Sequence, residues 1–380
     1  MEQTKKPLPG AVLLLAALGF VLGTCEFVIV GILPEIAEGL NTSLAAVGKL
    51  VSVFAACYAL GTPVITAATG GISRRKLLAV LMGVFLLTSA ASFAAPNVAV
   101  LYATRVVAAL VSGTLTAVAM LYAKEVAAPE QTARAISLVY GGFSVAAVLG
   151  VPLGTAVCQI LGWRWTFAVI LAMGAALLPL LLRSLPAVPA QADSGLLKSF
   201  SILWDPRCSL CVGMILCSAS ATYIVYTYLS PILTETLGLP AGAVSPLLLV
   251  MGACSAASNL LSGRLGERGG LRTLPMAFAA QAVLFALLPL LLGNRWAGLA
   301  GVFAMGLLMY LLNTPAQMHA LSLAEQDYPF ASSLCASVQP VSYNFGIAIG
   351  SFIGSAVQEG WGFRRLGLPA AMFALAALGL

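Results

Sequence analysis

Apolar stretches of about twenty residues recur along this chain, separated by short polar joints, and the charges fall almost entirely in the joints. An apolar helix of that length spans a hydrocarbon core of about 30 Å at about 1.5 Å per residue. The pattern places spans near Gly10 to Leu33, Leu44 to Ala68, Leu77 to Ala95, Val98 to Tyr122, Ala133 to Ile160 and Trp165 to Leu185. A second set follows near Cys208 to Ile232, Val244 to Gly263, Leu274 to Leu292, Ala297 to Leu321, Ser332 to Val357 and Leu366 to Leu380. In lipid the backbone must satisfy its own hydrogen bonds, and barrel strands would be half this length and alternate in polarity, so the spans read as helices. The expectation is an all-α polytopic membrane protein of twelve transmembrane helices in two pseudo-symmetric six-helix bundles. The last span reaches the C-terminus after about fifteen residues, less than a full crossing. Either the chain is cut short there or its final helix is stunted.

Composition agrees with this pattern. With 60% hydrophobic and 8% charged residues, and a mean hydropathy of +1.00, no water-soluble fold could hide the apolar surface. The joints that alternate with the N-terminus hold Lys5, Lys6, Arg74, Arg75, Lys76, Lys124, Arg134, Arg183, Lys198, Arg207, Arg264, Arg268 and Arg272. The opposite joints hold only Arg164, Arg295, Arg364 and Arg365. The positive-inside rule therefore predicts a cytoplasmic N-terminus. The net charge of +6 is this bias, and it calls for no nucleic-acid partner. Trp163, Trp165, Trp204, Trp296 and Trp361 sit at or near predicted span ends, as an interfacial aromatic belt requires. Lys5 and Lys6 precede the first apolar stretch as in a signal peptide, but the stretch is too long for one and lacks a small-x-small site before Glu26. The eight cysteines lie almost wholly in spans, where free cysteine is a small apolar residue. Cys208 and Cys211 have redox or metal spacing, yet no second cysteine or histidine pair accompanies them, so no metal site is expected.

The longest polar interval, Leu185 to Arg207, carries Pro186, Pro189, Asp193, Ser194, Lys198 and Asp205, and it divides the chain into domains at 1–186 and 207–380 with a cytoplasmic linker at 187–206. Each half carries a basic, glycine-bearing turn after its second span: Gly70-Gly71-Ile72-Ser73-Arg74-Arg75-Lys76, and Gly263-Arg264-Leu265-Gly266-Glu267-Arg268-Gly269-Gly270. These turns resemble the loop between the second and third spans of the major facilitator superfamily, which reads roughly G-x-L-x-D-R-x-G-R-R. The second copy has Glu267 in place of the aspartate, followed by Arg268. In the first copy Gly70 and Gly71 stand where the Asp-Arg pair belongs. Arg105 opens R-x7-G through Gly113, and the fifth span holds Gly142, Gly150, Pro152 and Gly154, similar to the glycine-proline signature of the family's antiporters. The runs Gly162 to Phe167, Thr24 to Val28 and Leu33 to Ala37 resemble bacterial sugar-efflux and arabinose-efflux-type permeases. That resemblance implies a bacterial inner-membrane, multi-pass drug or sugar:proton antiporter with no cofactor beyond the proton gradient, acting as a monomer on a small-molecule substrate. It also implies a tightly packed, bent fifth helix that seals against proton leak.

Three charges lie within spans. Glu26 stands about seven residues, or roughly 10 Å, inside the end of its span, and Arg105 and Lys49 come out at similar depth. An unpaired carboxylate there is costly, so it should face a cavity or a cation. Burial and a nearby guanidinium act in opposite senses on its protonation, which lets the proton respond to the side the cavity faces. Glu26 is the expected proton-exchanging group, Arg105 its movable partner and Lys49 a secondary cation.

Tyr223 and Tyr226 share a face of the seventh span, and Asn313 and Gln317 share a face of the tenth. Phenols and amides bind mixed-polarity ligands by stacking and hydrogen bonds. These four are the substrate candidates, and the resemblance places the first, fourth, seventh and tenth helices around the central cavity. Gln281, Asn259, Gln339 and Asn344 are weaker, because intramembrane amides often hold helices together. His319, the single histidine, reads as interfacial or hydrogen-bonded rather than as a relay. No H-E-x-x-H, G-x-S-x-G or P-loop lysine is present, so the chain offers no site for metallohydrolysis, serine chemistry or ATP use. The leading expectation is proton-coupled efflux of small organic solutes such as sugars or drugs by alternating access. A facilitator or an uptake symporter of the same fold is the alternative.

Overall fold

A computed structural model describes residues 10–69, 72–128, 132–186, 200–268, 270–328 and 332–380. Lys5, Lys6, Gly70, Gly71, Pro189, Asp193, Ser194, Lys198 and Gly269 lie outside the described residues, as do the side chains of Lys124, Arg134, Glu267 and Arg268. Ten helices among the described residues are each long and apolar enough to cross a membrane. The eleventh span, Ser332–Trp361, and the twelfth, Gly367–Gly379, complete two bundles of six helices. The twelfth is only 13 residues long. Large exposed side chains such as Leu13, Leu60, Leu87, Ile160, Leu290 and Met372 are apolar, as a lipid-facing surface demands. Trp165, Trp204, Trp296 and Trp361 are exposed at helix ends, whereas Trp163 is buried, with its indole against Gly39.

Several spans are interrupted, and proline chemistry explains where. Proline lacks the N–H that would bond the carbonyl four residues earlier, and its ring crowds that carbonyl. The first span runs as Gly10–Phe27, tightens into a 3-10 turn at Val28–Gly31 and resumes as Leu33–Gly39, with Pro34 four residues beyond Val30. The seventh, Pro206–Tyr226, breaks at Thr227 and Tyr228, and Pro231 stands four residues after Thr227. The tenth divides into Arg295–Leu308 and Asn313–Asp327, with Pro315 four residues after Leu311. Its freed amides at Tyr310 and Thr314 donate to Ser258 Oγ (2.9 Å) and Ser262 Oγ (2.8 Å) of the eighth span, Ala241–Arg268. In the fifth span Pro152 follows a π turn at Ala146–Gly150, between Thr132–Val145 and Val151–Leu161. Pro63, Pro246 and Pro340 are carried inside continuous helices, so proline permits a break without forcing one.

The two bundles repeat one packing device. Small residues let the fifth span lie on the first: a Cβ at Gly142 would stand 2.0 Å from the Ala16 carbonyl oxygen. Gly150 and Gly154 continue the strip against Thr24 and Val28. In the other bundle Gly346, Gly350 and Gly354 bring the eleventh span onto the seventh, and a Cβ at Gly350 would stand 2.5 Å from the Ser220 oxygen.

Between the bundles, the second span, Leu44–Ala68, pairs with the eleventh, and the fifth pairs with the eighth. Ser52 Oγ donates to the Ala348 oxygen (2.6 Å), Ser355 Oγ to Ala45 (2.9 Å), Ser245 Oγ to Pro152 (2.8 Å) and Gln159 Nε2 to Ala241 (2.6 Å). Among the described residues, every hydrogen bond between the bundles lies toward the face opposite the interbundle link. The seam is shut on that far face.

On the link face, charges are satisfied within each bundle. Arg74 lies 3.9 Å from Glu125 at the end of the fourth span, Val98–Val126, and Arg75 donates to the Leu182 oxygen of the sixth, Trp163–Ser184. Asp205 caps the seventh span through the Arg207 amide (2.8 Å) and takes the Arg207 guanidinium on both carboxylate oxygens. The guanidinium reaches on to Asp327 (2.6 Å), and the Tyr328 hydroxyl donates to Asp205.

The side-chain bond from Arg207 holds the Asp205 carboxyl down at about 2, and accepting the Tyr328 hydroxyl raises that phenol. Because the folded value lies below the ordinary 3.8, the cap is fully present above that pH and is lost as pH falls toward about 2. Amide protection over residues 207–210, corrected for intrinsic exchange, should therefore fall across that window in the native protein. In Asp205→Ala, which has no side-chain acceptor, it should already be reduced at neutral pH and should not show that fall.

Candidate functional site

The first span changes from α to 3-10 winding just past Glu26, so its last α-helical carbonyls run short of donors. Arg105, from the fourth span, fills that place. Its Nη1 donates to the Cys25 oxygen (2.7 Å) and toward Cys25 Sγ (3.2 Å), and Nη2 donates to the Glu26 backbone oxygen (3.4 Å). The guanidinium carbon stands 4.1 Å over the Phe54 ring. A helix C-terminus carries partial negative charge, so a buried cation is stabilised there without a carboxylate. At 1% exposure the side chain is sealed from any guest, and its Nε has no hydrogen-bond partner.

Glu26 is placed differently. The residue lies deep between the bundles yet is partly exposed, and no hydrogen bond or ion pair to its carboxylate occurs among the described residues. Sequence reasoning paired the Arg105 and Glu26 side chains; the structure instead sets the guanidinium on the backbone of Cys25 and Glu26. The physical reason is the broken helix end, which offers a buried cation two carbonyls at closer range. Arg105 thus fixes the segment that presents Glu26, and the carboxylate is left uncommitted.

Aromatic side chains surround it. The Tyr58, Tyr223, Tyr310 and Tyr343 phenols lie within electrostatic reach of the Glu26 carboxylate. Ring centroids run 5.3 Å from Tyr226 to Tyr223, 6.0 Å from Tyr223 to Tyr343 and 5.9 Å from Tyr343 to Tyr310. The Tyr223 and Tyr343 hydroxyls are buried with no hydrogen bond of ordinary geometry, as is Oδ1 of Asn344.

Tyr223 and Tyr226 share a face of the seventh span, their ring centroids 5.3 Å apart. Asn313 and Gln317 each make one bond to the eleventh span: Asn313 Oδ1 accepts from Gln339 Nε2 (2.9 Å), and Gln317 Nε2 donates to the Cys335 oxygen (3.4 Å). Gln281 ties the ninth span, Leu274–Leu291, to the seventh through Ser218 (3.2 Å) and Thr222 (2.9 Å). Lys49 enters no ion pair among the described residues and is partly exposed near the shut seam.

Sequence reasoning missed Tyr58, Tyr310 and Tyr343. Tyr310 stands three residues before Asn313, well inside the tenth span, a signal that was available; Tyr58 and Tyr343 carried none beyond being phenols inside spans.

A two-bundle helical membrane protein with broken spans meeting at a central polar site is a solute transporter in architecture. The model of the Major Facilitator Superfamily matches residues 15–339, and the chain belongs to that family. It is 32% identical over 356 residues to the uncharacterized MFS-type transporter YtbD of Bacillus subtilis (strain 168), covering 93% of this chain and 89% of that protein. Among solved structures it resembles a bacterial homolog of the human lysosomal transporter Spinster, in an inward-facing, unoccupied conformation, with a TM-score of 0.74 at 15% identity over 97% of this chain and 95% of that one. The nucleoside transporter NupG is similar in the same way, with a TM-score of 0.75 at 13% identity, covering 97% of each chain. At these identities the structural likeness speaks for the fold.

Proposed function

We propose that this transporter is a proton-coupled exporter of small organic solutes, residing in a bacterial inner membrane with its N-terminus in the cytoplasm. The observation that carries the reading is Glu26: a partly exposed residue within the first span, within electrostatic reach of tyrosines from both bundles, its carboxylate free of any ion pair among the described residues. A charged group so placed gains by taking up a proton when the space is dry and by releasing it when water or a solute arrives. Arg105 holds the broken helix end that aims it. With the N-terminus in the cytoplasm, the far face is external and the shut seam there is that of an inward-facing state. The breaks in the first, seventh and tenth spans supply the joints about which the bundles rock. The glycine strip between the first and fifth spans keeps water from the remaining path.

The test separates export from uptake. A thermal-stabilisation screen of the purified protein supplies a solute, which is then given to everted vesicles energised to an acid interior. An exporter accumulates the solute and dissipates the pH gradient when it is added. A symporter or a facilitator does neither, and that outcome would replace this reading with the uptake alternative.

A further inference from the structure

At the far face, away from the central site, a cleft of about 320 Å³ opens between the end of the seventh span and the turn that joins the eleventh to the twelfth, lined by Glu235, Thr236, Trp361, Gly362, Phe363 and Arg364. Two bends make it. After Pro231 the seventh span closes on a π turn, Ile232–Thr236, which carries Glu235 to the surface. Opposite, Gly362 at a φ of 77° lets the chain swing from the eleventh span into the turn Phe363–Leu366, a backbone setting that favours glycine. One wall is firmly backed, because the Phe363 ring stands 6.0 Å from that of Tyr228, which is fully buried. The volume falls at the lower end of the range for small-ligand sites, about 300–1,000 Å³.

The cleft carries both signs of charge. Glu235 and Arg364 line it together, yet neither enters an ion pair among the described residues, with the other or with any other group. Glu359 and Arg365, on either side of the turn in the chain, again add one charge of each sign. A guest of single charge would meet one attractive and one repulsive residue, whereas a guest that carries both signs is matched by both. A guanidinium binds phosphate through paired donors, and a carboxylate beside aromatic ring faces suits an ammonium. The location then selects the source of that guest. Trp361 is exposed at the end of its span, which marks the level of the lipid headgroups. From the cleft the twelfth helix, Gly367–Gly379, presents Leu368, Met372 and Leu375 outward at spacings of four and three residues, so an apolar track leads from the charged cleft into the hydrocarbon. A soluble zwitterion would use the cleft alone; a phospholipid uses the cleft and the track.

We infer that this cleft seats the headgroup of a zwitterionic phospholipid of the far leaflet, with its phosphate on Arg364, its ammonium held by Glu235 and the Trp361 ring, and its acyl chains along the exposed face of the twelfth helix.

Native mass spectrometry of the purified full chain in detergent, titrated with lipids of matched acyl chains, tests this. Dioleoylphosphatidylethanolamine should bind at least about tenfold more tightly than dioleoylphosphatidylglycerol, which keeps the phosphate and lacks the ammonium. Glu235→Gln should bring the two lipids level by weakening phosphatidylethanolamine, and the phosphatidylglycerol binding it retains reports that the variant is folded. Arg364→Gln should weaken both lipids by about fivefold or more, since both present the phosphate. Glycerophosphoethanolamine, the same headgroup without chains, should compete only at a concentration about a hundredfold higher or more, because it buries no hydrocarbon on the twelfth helix. Equal affinity for the two lipids, a ratio unmoved by Glu235→Gln, or no effect of Arg364→Gln on either lipid would overturn the assignment. Competition by glycerophosphoethanolamine at the lipid's own concentration would overturn it as well, by making the cleft a site for a soluble zwitterion.

Discussion

Glu26→Gln is expected to abolish solute accumulation driven by a pH gradient while leaving downhill exchange measurable. Glutamine keeps the size and hydrogen-bonding capacity of the side chain but cannot exchange a proton at any working pH. The carboxylate takes part in no ion pair among the described residues, so no buried partner is orphaned by the change and the fold should stand. Energised everted vesicles should show accumulation falling to the equilibrium ratio, with pH-gradient dissipation lost in parallel. Equilibrative exchange of labelled solute across unenergised vesicles should persist. A variant that still accumulates solute would remove Glu26 from the coupling step, and one that loses exchange as well would make it a binding group alone.

The second large effect concerns the fold itself. Gly142→Leu should destabilise the first bundle by about 3 kcal/mol or more. A Cβ at Gly142 would stand 2.0 Å from the Ala16 oxygen and 2.9 Å from the Phe20 nitrogen, both backbone atoms of the first span that cannot step aside cheaply. Separating the two helices would also shift Thr24, Cys25 and Glu26, so transport should fail before unfolding is complete. The neighbouring Gly141 has open space where its Cβ would be and serves as the control. Thermal unfolding of the purified proteins should show a marked loss for Gly142→Leu and little change for Gly141→Ala. Equal behaviour of the two would mean the helices are not held as closely as described.

The membrane architecture was legible because bilayer thickness writes itself into the sequence as apolar runs near twenty residues, and the glycines of the fifth span announced a close helix contact. The matching strip at Gly346, Gly350 and Gly354 was equally visible and went unread, since no family motif drew attention to it. The breaks in the first, seventh and tenth spans were only half legible. Pro34, Pro231 and Pro315 are each correctly placed to cause one, yet Pro63 and Pro340 have the same chemistry inside intact helices. What decides between them is tertiary, as at Ser258 and Ser262, whose hydroxyls receive the amides freed in the tenth span.

The site was legible in its charges and less so in its partners. An acid within a span marks itself by its cost, which made Glu26 and Arg105 stand out. That Arg105 would bind the end of a helix rather than a carboxylate depends on a break that sequence spacing did not reveal. Asn313 and Gln317 stood out as amides on one face of the tenth span, but their bonds to Gln339 and the Cys335 carbonyl of the eleventh span were not legible in sequence spacing. Tyrosines lack such a mark, because a phenol inside a span serves equally as packing, so the cluster around Tyr343 emerged only from the three-dimensional arrangement.

Infrared difference spectroscopy of the purified chain, stepped through its working pH range, addresses the proton step most directly. A carboxylic-acid C=O band should rise and bleach with pH in the native protein and be missing from Glu26→Gln, with every other carboxyl signal unchanged between the two. Identical spectra would show that Glu26 holds one protonation state throughout, and proton-coupled transport through this residue would be contradicted.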